Sequence, residues 1–212
     1  MITLPRRVDG PLILADIGGY TSFLRAVQVA HADDAFADGN VPDAYAFVSS
    51  LLDGIVGELV PPFTLSKLEG DAVFAYAETD GGLPRGEALL ACLEACYAEF
   101  GRRLGQANEI WTCRCGACLR IDQLELKFIL HAGSYVIQPI AGTAELVGPE
   151  VVMAHRLLKN DAAIVLASGA YALLTADAVH RFEVPTDTAT PMSATYEHYE
   201  PIDTFLYPLA RR

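Results

Sequence analysis

The sequence predicts one α+β domain, because strand-like runs and amphipathic helix patterns alternate irregularly along it. Residues 11–24, PLILADIGGYTSFL, indicate a buried strand, an aspartate, a glycine turn and the start of a helix. Residues 42–59 place apolar side chains at helical spacing. Residues 63–76 hold two β-like runs around Glu69-Gly70-Asp71, which is a hairpin signature. No repeat or linker divides the chain, so we expect a single domain over residues 1–212.

The composition excludes several classes of function. A hydrophobic fraction of 52% allows a sizeable core, whereas a net charge of −12 argues against a nucleic-acid-binding surface. No apolar run reaches the roughly 18 residues of a membrane span, and no basic-then-apolar signal opens the chain. We therefore expect a soluble, cytoplasmic protein. An anionic ligand would need bound cations or local arginines on so acidic a chain.

The remaining elements follow from periodicity and from turn residues. Apolar side chains recur on one stripe of the helix over residues 42–59, and Pro61-Pro62 ends that helix. In chain order we expect a polar lead-in (1–10), a strand (11–15), a helix (20–30), a solvated loop (31–40), a helix (42–59), a hairpin (63–76), a polar loop (77–85), a long helix (86–104), two strands around Gly133 (124–140), a helix (148–159), a strand (163–167), a short helix (169–176) and a strand region broken by Pro201 (196–209).

Five cysteines lie between Cys92 and Cys118, an odd number that does not suit a secreted disulfide framework. Cys113, Cys115 and Cys118 put three thiols within six residues, and a Cys-x-x-Cys spacing suits zinc. The cluster forms an insertion at about residues 108–122, and a structural Zn²⁺ site there is one interpretation of it. The fourth ligand would be Cys92, Cys96, His131 or a group from a second subunit. Free thiols and a redox disulfide remain open as alternatives.

Asp16 ends the first strand, where a buried carboxylate is costly unless a cation or a hydrogen-bond donor compensates it. A helix-capping aspartate in a tight turn is the simpler interpretation of this residue alone. Four segments, which occur in this order along the chain, favour a functional role for Asp16 instead: LADIGGYTSFL, KLEGDAVFAYA, LKFILHAG and LVGPEVVMAHRLL. Together they resemble the class III nucleotidyl cyclases, and most of all an uncharacterised bacterial branch of that superfamily. The resemblance covers about residues 11–160.

The resemblance implies a ferredoxin-like α+β core with helices packed on an antiparallel or mixed sheet. It also implies a head-to-tail homodimer with active sites at the interface. The family reaction is attack of a ribose 3′-hydroxyl on the α-phosphate of a nucleoside triphosphate, with release of pyrophosphate. Asp16, the backbone carbonyl of Ile17, and Asp71 fall on the positions that hold two Mg²⁺ or Mn²⁺ ions.

Three further positions match the family's substrate groups. Lys67 falls on the base-recognition lysine of adenylate cyclases, and Glu145 falls where those enzymes place a base-reading aspartate. Arg156 matches the arginine that stabilises the charged transition state.

Two departures leave the activity open. Val152 stands where the family has a ribose-orienting asparagine, and no lysine follows Lys159 to match the late phosphate-binding lysine. One hypothesis is therefore a cyclase that converts ATP to 3′,5′-cyclic AMP and pyrophosphate. The other is a catalytically degenerate domain that binds nucleotide or acts as a dimerisation or regulatory module.

Overall fold

Strands and helices alternate irregularly in the computed structural model, which describes residues 4–32, 41–111, 113–166 and 169–210. The strands are β1 (Arg6–Gly18), β2 (Thr64–Glu69), β3 (Ala72–Tyr76), β4 (Glu125–Ile140), β5 (Thr143–Val147), β6 (Tyr171–Thr175), β7 (Thr190–Ala194) and β8 (Ile202–Pro208). The α-helices are α1 (Tyr20–Ala30), α2 (Asp43–Leu59), α3 (Glu87–Ile110), α4 (Pro149–Arg156), α5 (Ala162–Val165) and α6 (Ala176–Phe182), and a 3₁₀ helix spans Cys118–Gln123.

Within the described residues, the strands form one mixed sheet in the order β2-β3-β1-β4-β6-β8-β7. β1 and β4 are antiparallel at its centre and stay paired from Arg6 opposite Ile137 to Gly18 opposite Glu125. The other edge of β4 is shared, because β6 pairs with its first half in parallel and β5 with its second half. The predicted α+β class is confirmed, with a sheet that carries helices on both faces.

Side-chain alternation along β1 divides the core into two layers. Ile13, Ala15 and Ile17 belong to the larger layer, which also contains the buried faces of α1, α2, α3 and α6. Leu12 and Leu14 belong to the smaller layer beneath α4. Asp16 therefore lies on the same face of the sheet as Leu12 and Leu14, the face covered by α4. It is near the end of β1, where the apolar layer stops.

Several predicted elements are confirmed and others are wrong. The first helix, the second helix and the hairpin lie where their patterns predicted. Residues 124–140 form one strand, not two, because Gly133 pairs with Gly10 of β1 and the ladder continues across it. The predicted strand at 163–167 overlaps the short helix α5, and the predicted helix at 169–176 contains strand β6.

Other predictions were incomplete. Strand β1 begins at Arg6, within the predicted polar lead-in. Strand β7 and helix α6 were not predicted, and α3 continues to Ile110. The predicted loop over residues 31–40 lies mostly outside the described residues. No helix in the described part of the chain combines the length and apolarity that crossing a bilayer requires.

Gly10→Ala is expected to lower the free energy of unfolding by about 2 kcal/mol or more. A Cβ on Gly10 would lie 2.1 Å from the backbone carbonyl oxygen of Ala77, so a strand would have to move. Gly57→Ala is the matched control: a Cβ there meets nothing within 4 Å on α2, and it should stabilise by roughly 0.5–1 kcal/mol. Urea unfolding of both variants measures this, and equal effects would contradict the proposed close approach.

Candidate functional site

Asp16 and Asp71 come together at the end of β1. Asp71 lies in the turn between β2 and β3, which Gly70 forms with a φ of +69°. The backbone carbonyl of Asp71 accepts a hydrogen bond from the amide of Ile17, 3.1 Å away. Partial burial and the negative charge of Asp71 raise the pKa of the Asp16 carboxyl. The hairpin thus delivers a second carboxylate beside the first, although the two are 55 residues apart in sequence.

Lys127 is the cation nearest in register to this acidic pair. It lies opposite Asp16 on β4, and its charge opposes the rise in the pKa of Asp16. It forms no ion pair within 4.0 Å with either aspartate, and among the described residues neither carboxylate accepts a side-chain hydrogen bond. The acidic pair therefore retains acceptor capacity that a divalent cation would use.

Lys67 and Glu145 also meet, in a charged row between the first hairpin and β5. The Lys67 ammonium is 3.2 Å from a Glu145 carboxylate oxygen and 3.4 Å from Glu69. The hydrogen bond with Glu145 raises the pKa of Lys67. The other oxygen of Glu69 is 2.7 Å from Nε2 of His155, which ties this row to α4. A donor and an acceptor thus stand side by side, which is what reading the edge of a base requires.

Arg156 lies against the C-terminal segment of the chain. Its guanidinium donates to the backbone carbonyl of Glu197 over 2.8 Å and lies 5.2 Å from the centre of the Tyr199 ring. Within the described chain no ion pair joins it to either carboxylate site. Val152, one turn earlier on α4, is 47% exposed. The exposed face of α4 therefore presents an aliphatic side chain and an arginine that is held by the C-terminal segment.

The cysteine cluster has a neighbour that the sequence analysis did not select. Nε2 of His31, the residue after α1, is 3.7 Å from Sγ of Cys113, 3.4 Å from Sγ of Cys115 and 3.3 Å from Sγ of Cys118. All four ligand atoms lie within 4.8 Å of one another.

The structure places His31 beside the three thiols, and none of the three residues that the sequence suggested within the chain. Cys96 is fully buried in the core on α3, and Cys92 lies one turn before it on the same helix. His131 instead bonds Glu150 at 2.7 Å and Thr175 at 3.2 Å.

Three neighbours of the candidate sites were missed from sequence: His31, Glu69 and Lys127. Lys127 carried a signal, because it is a lysine within an otherwise apolar strand pattern in a chain with only three lysines. Glu69 was part of the hairpin signature, but its contact with His155 depends on how α4 packs. His31 had no local signal, because its partners lie more than 80 residues away.

Comparison with solved structures defines the class of fold. The adenylyl cyclase CyaB from P. aeruginosa is similar with a TM-score of 0.65, at 13% identity over 99% of this chain and 98% of that chain. The guanylyl cyclase Cya2 gives 0.58, at 15% identity over 97% and 93%. A bacterial light-regulated adenylyl cyclase gives 0.66, at 15% identity over 96% of this chain and 51% of that chain. This chain has the fold of class III nucleotidyl cyclase domains, as its resemblance to them predicted.

The chain belongs to the family described as Protein of unknown function (DUF2652), which matches residues 48–165. A curated relative, Uncharacterized protein Rv2561/Rv2562 of Mycobacterium tuberculosis (strain ATCC 25618 / H37Rv), is 32% identical over 116 residues. That match covers 54% of this chain and 52% of the relative, so the chain matches about half of the relative's length. The family segment includes Asp71 and the three clustered cysteines, whereas Asp16 and His31 precede it.

Asp16→Asn is expected to raise the melting temperature in metal-free buffer, because it removes a partly buried charge that faces Asp71. Since folding raises the pKa of Asp16, its ionised form is destabilising, and the penalty grows as pH rises through the folded pKa. The gain should therefore be larger at neutral pH than below the ordinary aspartate value of 3.8. Thermal unfolding at both pH values measures it.

Asp53→Asn, on the exposed face of α2, is the control and should change little. Excess Mn²⁺ should stabilise the wild-type protein and the control but not Asp16→Asn. A lower melting temperature for Asp16→Asn would instead identify Asp16 as a structural hydrogen-bond acceptor.

Proposed function

We propose that this protein is a nucleotidyl cyclase that acts as a homodimer and converts ATP to 3′,5′-cyclic AMP and pyrophosphate. The observation that carries the proposal is the meeting of Asp16 and Asp71 at the end of β1, on a class III cyclase fold. Two neighbouring carboxylates, one of them partly buried with a raised pKa and neither in an ion pair, are a costly arrangement without a cation. A nucleotide's divalent counter-ions relieve that cost.

Asp16, the Ile17 carbonyl and Asp71 are the groups that would hold two Mg²⁺ or Mn²⁺ ions. Such ions, when bound, stabilise the attacking and departing oxygens of a phosphoryl displacement. The two carboxylates would hold these cations beside the triphosphate, and the positive charge of the cations would offset the charge of the triphosphate on a protein whose net charge is −12. This electrostatic need explains why an acidic chain keeps a carboxylate pair at its anion site.

Lys67 and Glu145 are the proposed readers of the adenine base. The Lys67 ammonium donates to a ring nitrogen, and the Glu145 carboxylate accepts from the exocyclic amino group. In the free chain the two groups pair with each other at 3.2 Å. Both side chains are therefore already oriented toward one place before a base binds, and neither lacks a partner. Glu69 contacts the lysine from the other side, and His155 in turn contacts the second oxygen of Glu69.

Arg156 is proposed to stabilise negative charge on the transferring phosphoryl group. Its position on the exposed face of α4, apart from the acidic pair of its own chain, supports a site completed by a second copy. In the free chain its guanidinium contacts the Tyr199 ring and the Glu197 carbonyl. Val152 provides no hydrogen bond to the ribose, so turnover is expected to be slower than the fold alone would suggest.

The activity test compares the wild type with Asp16→Asn and Asp53→Asn in Mn²⁺ with each of the four ribonucleotides. We expect cyclic AMP from the wild type and from Asp53→Asn, and a loss of about 100-fold or more in Asp16→Asn. Product is quantified by chromatography, and nucleotide binding by calorimetry with a non-hydrolysable triphosphate. Metal-dependent binding without product would identify a nucleotide-binding regulatory module, and no binding would exclude a nucleotide site.

Glu145→Gln is expected to shift the preference between bases without abolishing metal-dependent chemistry. It removes a charged acceptor, so kcat/KM for ATP relative to GTP should fall about 10- to 100-fold. Glu183→Gln is the matched control, because Glu183 is an exposed glutamate in a single ion pair with Arg85 near the start of α3. An unchanged ATP-to-GTP ratio in Glu145→Gln would remove Glu145 from base recognition.

A further inference from the structure

Three sulfur atoms converge on one imidazole nitrogen where α1 ends. Hydrogen bonding does not explain this arrangement, because a single ring nitrogen makes only one good hydrogen bond. A disulfide does not explain it either, because it would join two of the sulfurs and exclude the third. Three thiols and an imidazole nitrogen around one centre are a ligand set typical of structural zinc.

The distances fit a tetrahedral ion quantitatively. Zinc lies about 2.3 Å from thiolate sulfur and about 2.0–2.1 Å from imidazole nitrogen, which puts sulfur and nitrogen about 3.6 Å apart across a tetrahedral angle. The observed separations are 3.3, 3.4 and 3.7 Å. In addition, the backbone amide of Cys118 donates to Sγ of Cys115 over 3.4 Å. Such outer contacts orient and stabilise a ligating thiolate.

We propose that His31, Cys113, Cys115 and Cys118 form a closed, structural Cys₃His zinc site. All four ligands come from one chain, so no second subunit is needed and no coordination position is left for a substrate. Cys118 is buried, and the other three ligands are partly buried. These features favour a structural ion over a catalytic one.

The site joins two segments that approach the acidic pair. His31 directly follows α1, and α1 begins at Tyr20, just after the turn that follows Asp16. Cys118 opens the 3₁₀ helix, whose last residue, Gln123, has its carbonyl oxygen 3.5 Å from the position of a Cβ on Gly19. α1 and the 3₁₀ helix therefore run side by side, and the ion would fasten the ends that lie away from Asp16.

Metal analysis of the full-length protein, purified under reducing conditions, tests the proposal without any activity assay. We expect one zinc per chain, and after exchange, a cobalt(II) spectrum with thiolate charge-transfer bands and the strong visible bands of tetrahedral coordination. Cys92→Ser, which changes a partly buried cysteine outside the cluster, should keep both. Wild-type protein that holds no zinc and gives no tetrahedral cobalt spectrum overturns the site.

Variants at His31 assign the fourth ligand. His31→Ala should weaken cobalt binding by about 100-fold or more, since losses of even outer-shell partners reach that size. His31→Cys should restore a stoichiometric site with a spectrum shifted toward four sulfur ligands. If either His31 variant keeps the wild-type cobalt spectrum, His31 is not a ligand. If Cys92→Ser loses as much bound metal per chain as His31→Ala does, the metal is not held by this cluster. A chelator should also lower the melting temperature of the wild type, because metal binding is coupled to folding.

Discussion

The long antiparallel pairing of β1 with β4 is the constraint on which the rest of the structure depends. It runs without a break from Arg6–Ile137 to Gly18–Glu125, so the two strands act as one rigid ribbon through the centre of the sheet. Two glycines pair at its midpoint, where the Ala77 carbonyl approaches Gly10 too closely for any side chain. Every candidate group is placed relative to this ribbon. Asp16 lies at one end of it, and β5, which carries Glu145, extends its other end.

The charges around the two carboxylates determine which ligands this geometry favours. The chain carries 27 acidic residues against 15 lysines and arginines, and in its described part several of these side chains form ion pairs on the surface. The two carboxylates at the end of β1 form no such pair, and burial and the charge of Asp71 raise the pKa of Asp16. Lys127 offsets this repulsion only in part. A site of this kind favours ligands that bring their own cations, and a metal–nucleotide complex has that property.

The sequence predicted those parts of the molecule whose signals are local. The helix over residues 20–30, the helix over 42–59 and the hairpin at Gly70 follow from periodicity and turn chemistry within a few residues. The single strand over 124–140 could not be predicted locally, because Gly133 marks a break unless its partner across the ladder is known. The sequence predicts a helix at β6 because YALLT, a run of only five residues, fits both the helical and the strand period. Only the position of this run between β4 and β8 makes it a strand.

The same distinction holds for the candidate sites. Asp16, Asp71, Lys67 and Glu145 were selected through four ordered motifs, and the fold brings them together in two pairs. The partner of the cysteine cluster could not be selected, because His31 reaches it only through the packing of α1 against the 3₁₀ helix. A histidine at the end of a helix has many ordinary roles, and nothing in its neighbours separates these roles from metal binding.

The buried contacts of His131 have a mechanical consequence. Its ring bonds Glu150 at the start of α4 and Thr175, whose hydroxyl accepts a hydrogen bond from the amide of Ala178 as the cap of α6. Glu150 reaches that ring only because Gly133 leaves room for its side chain. One buried imidazole thus connects the start of α4 to the start of α6, so a substitution of His131 is expected to disturb both helices. Arg181, which lies on α6, forms ion pairs with Asp9 of β1 and with Asp80, so the same set of contacts reaches the first strand.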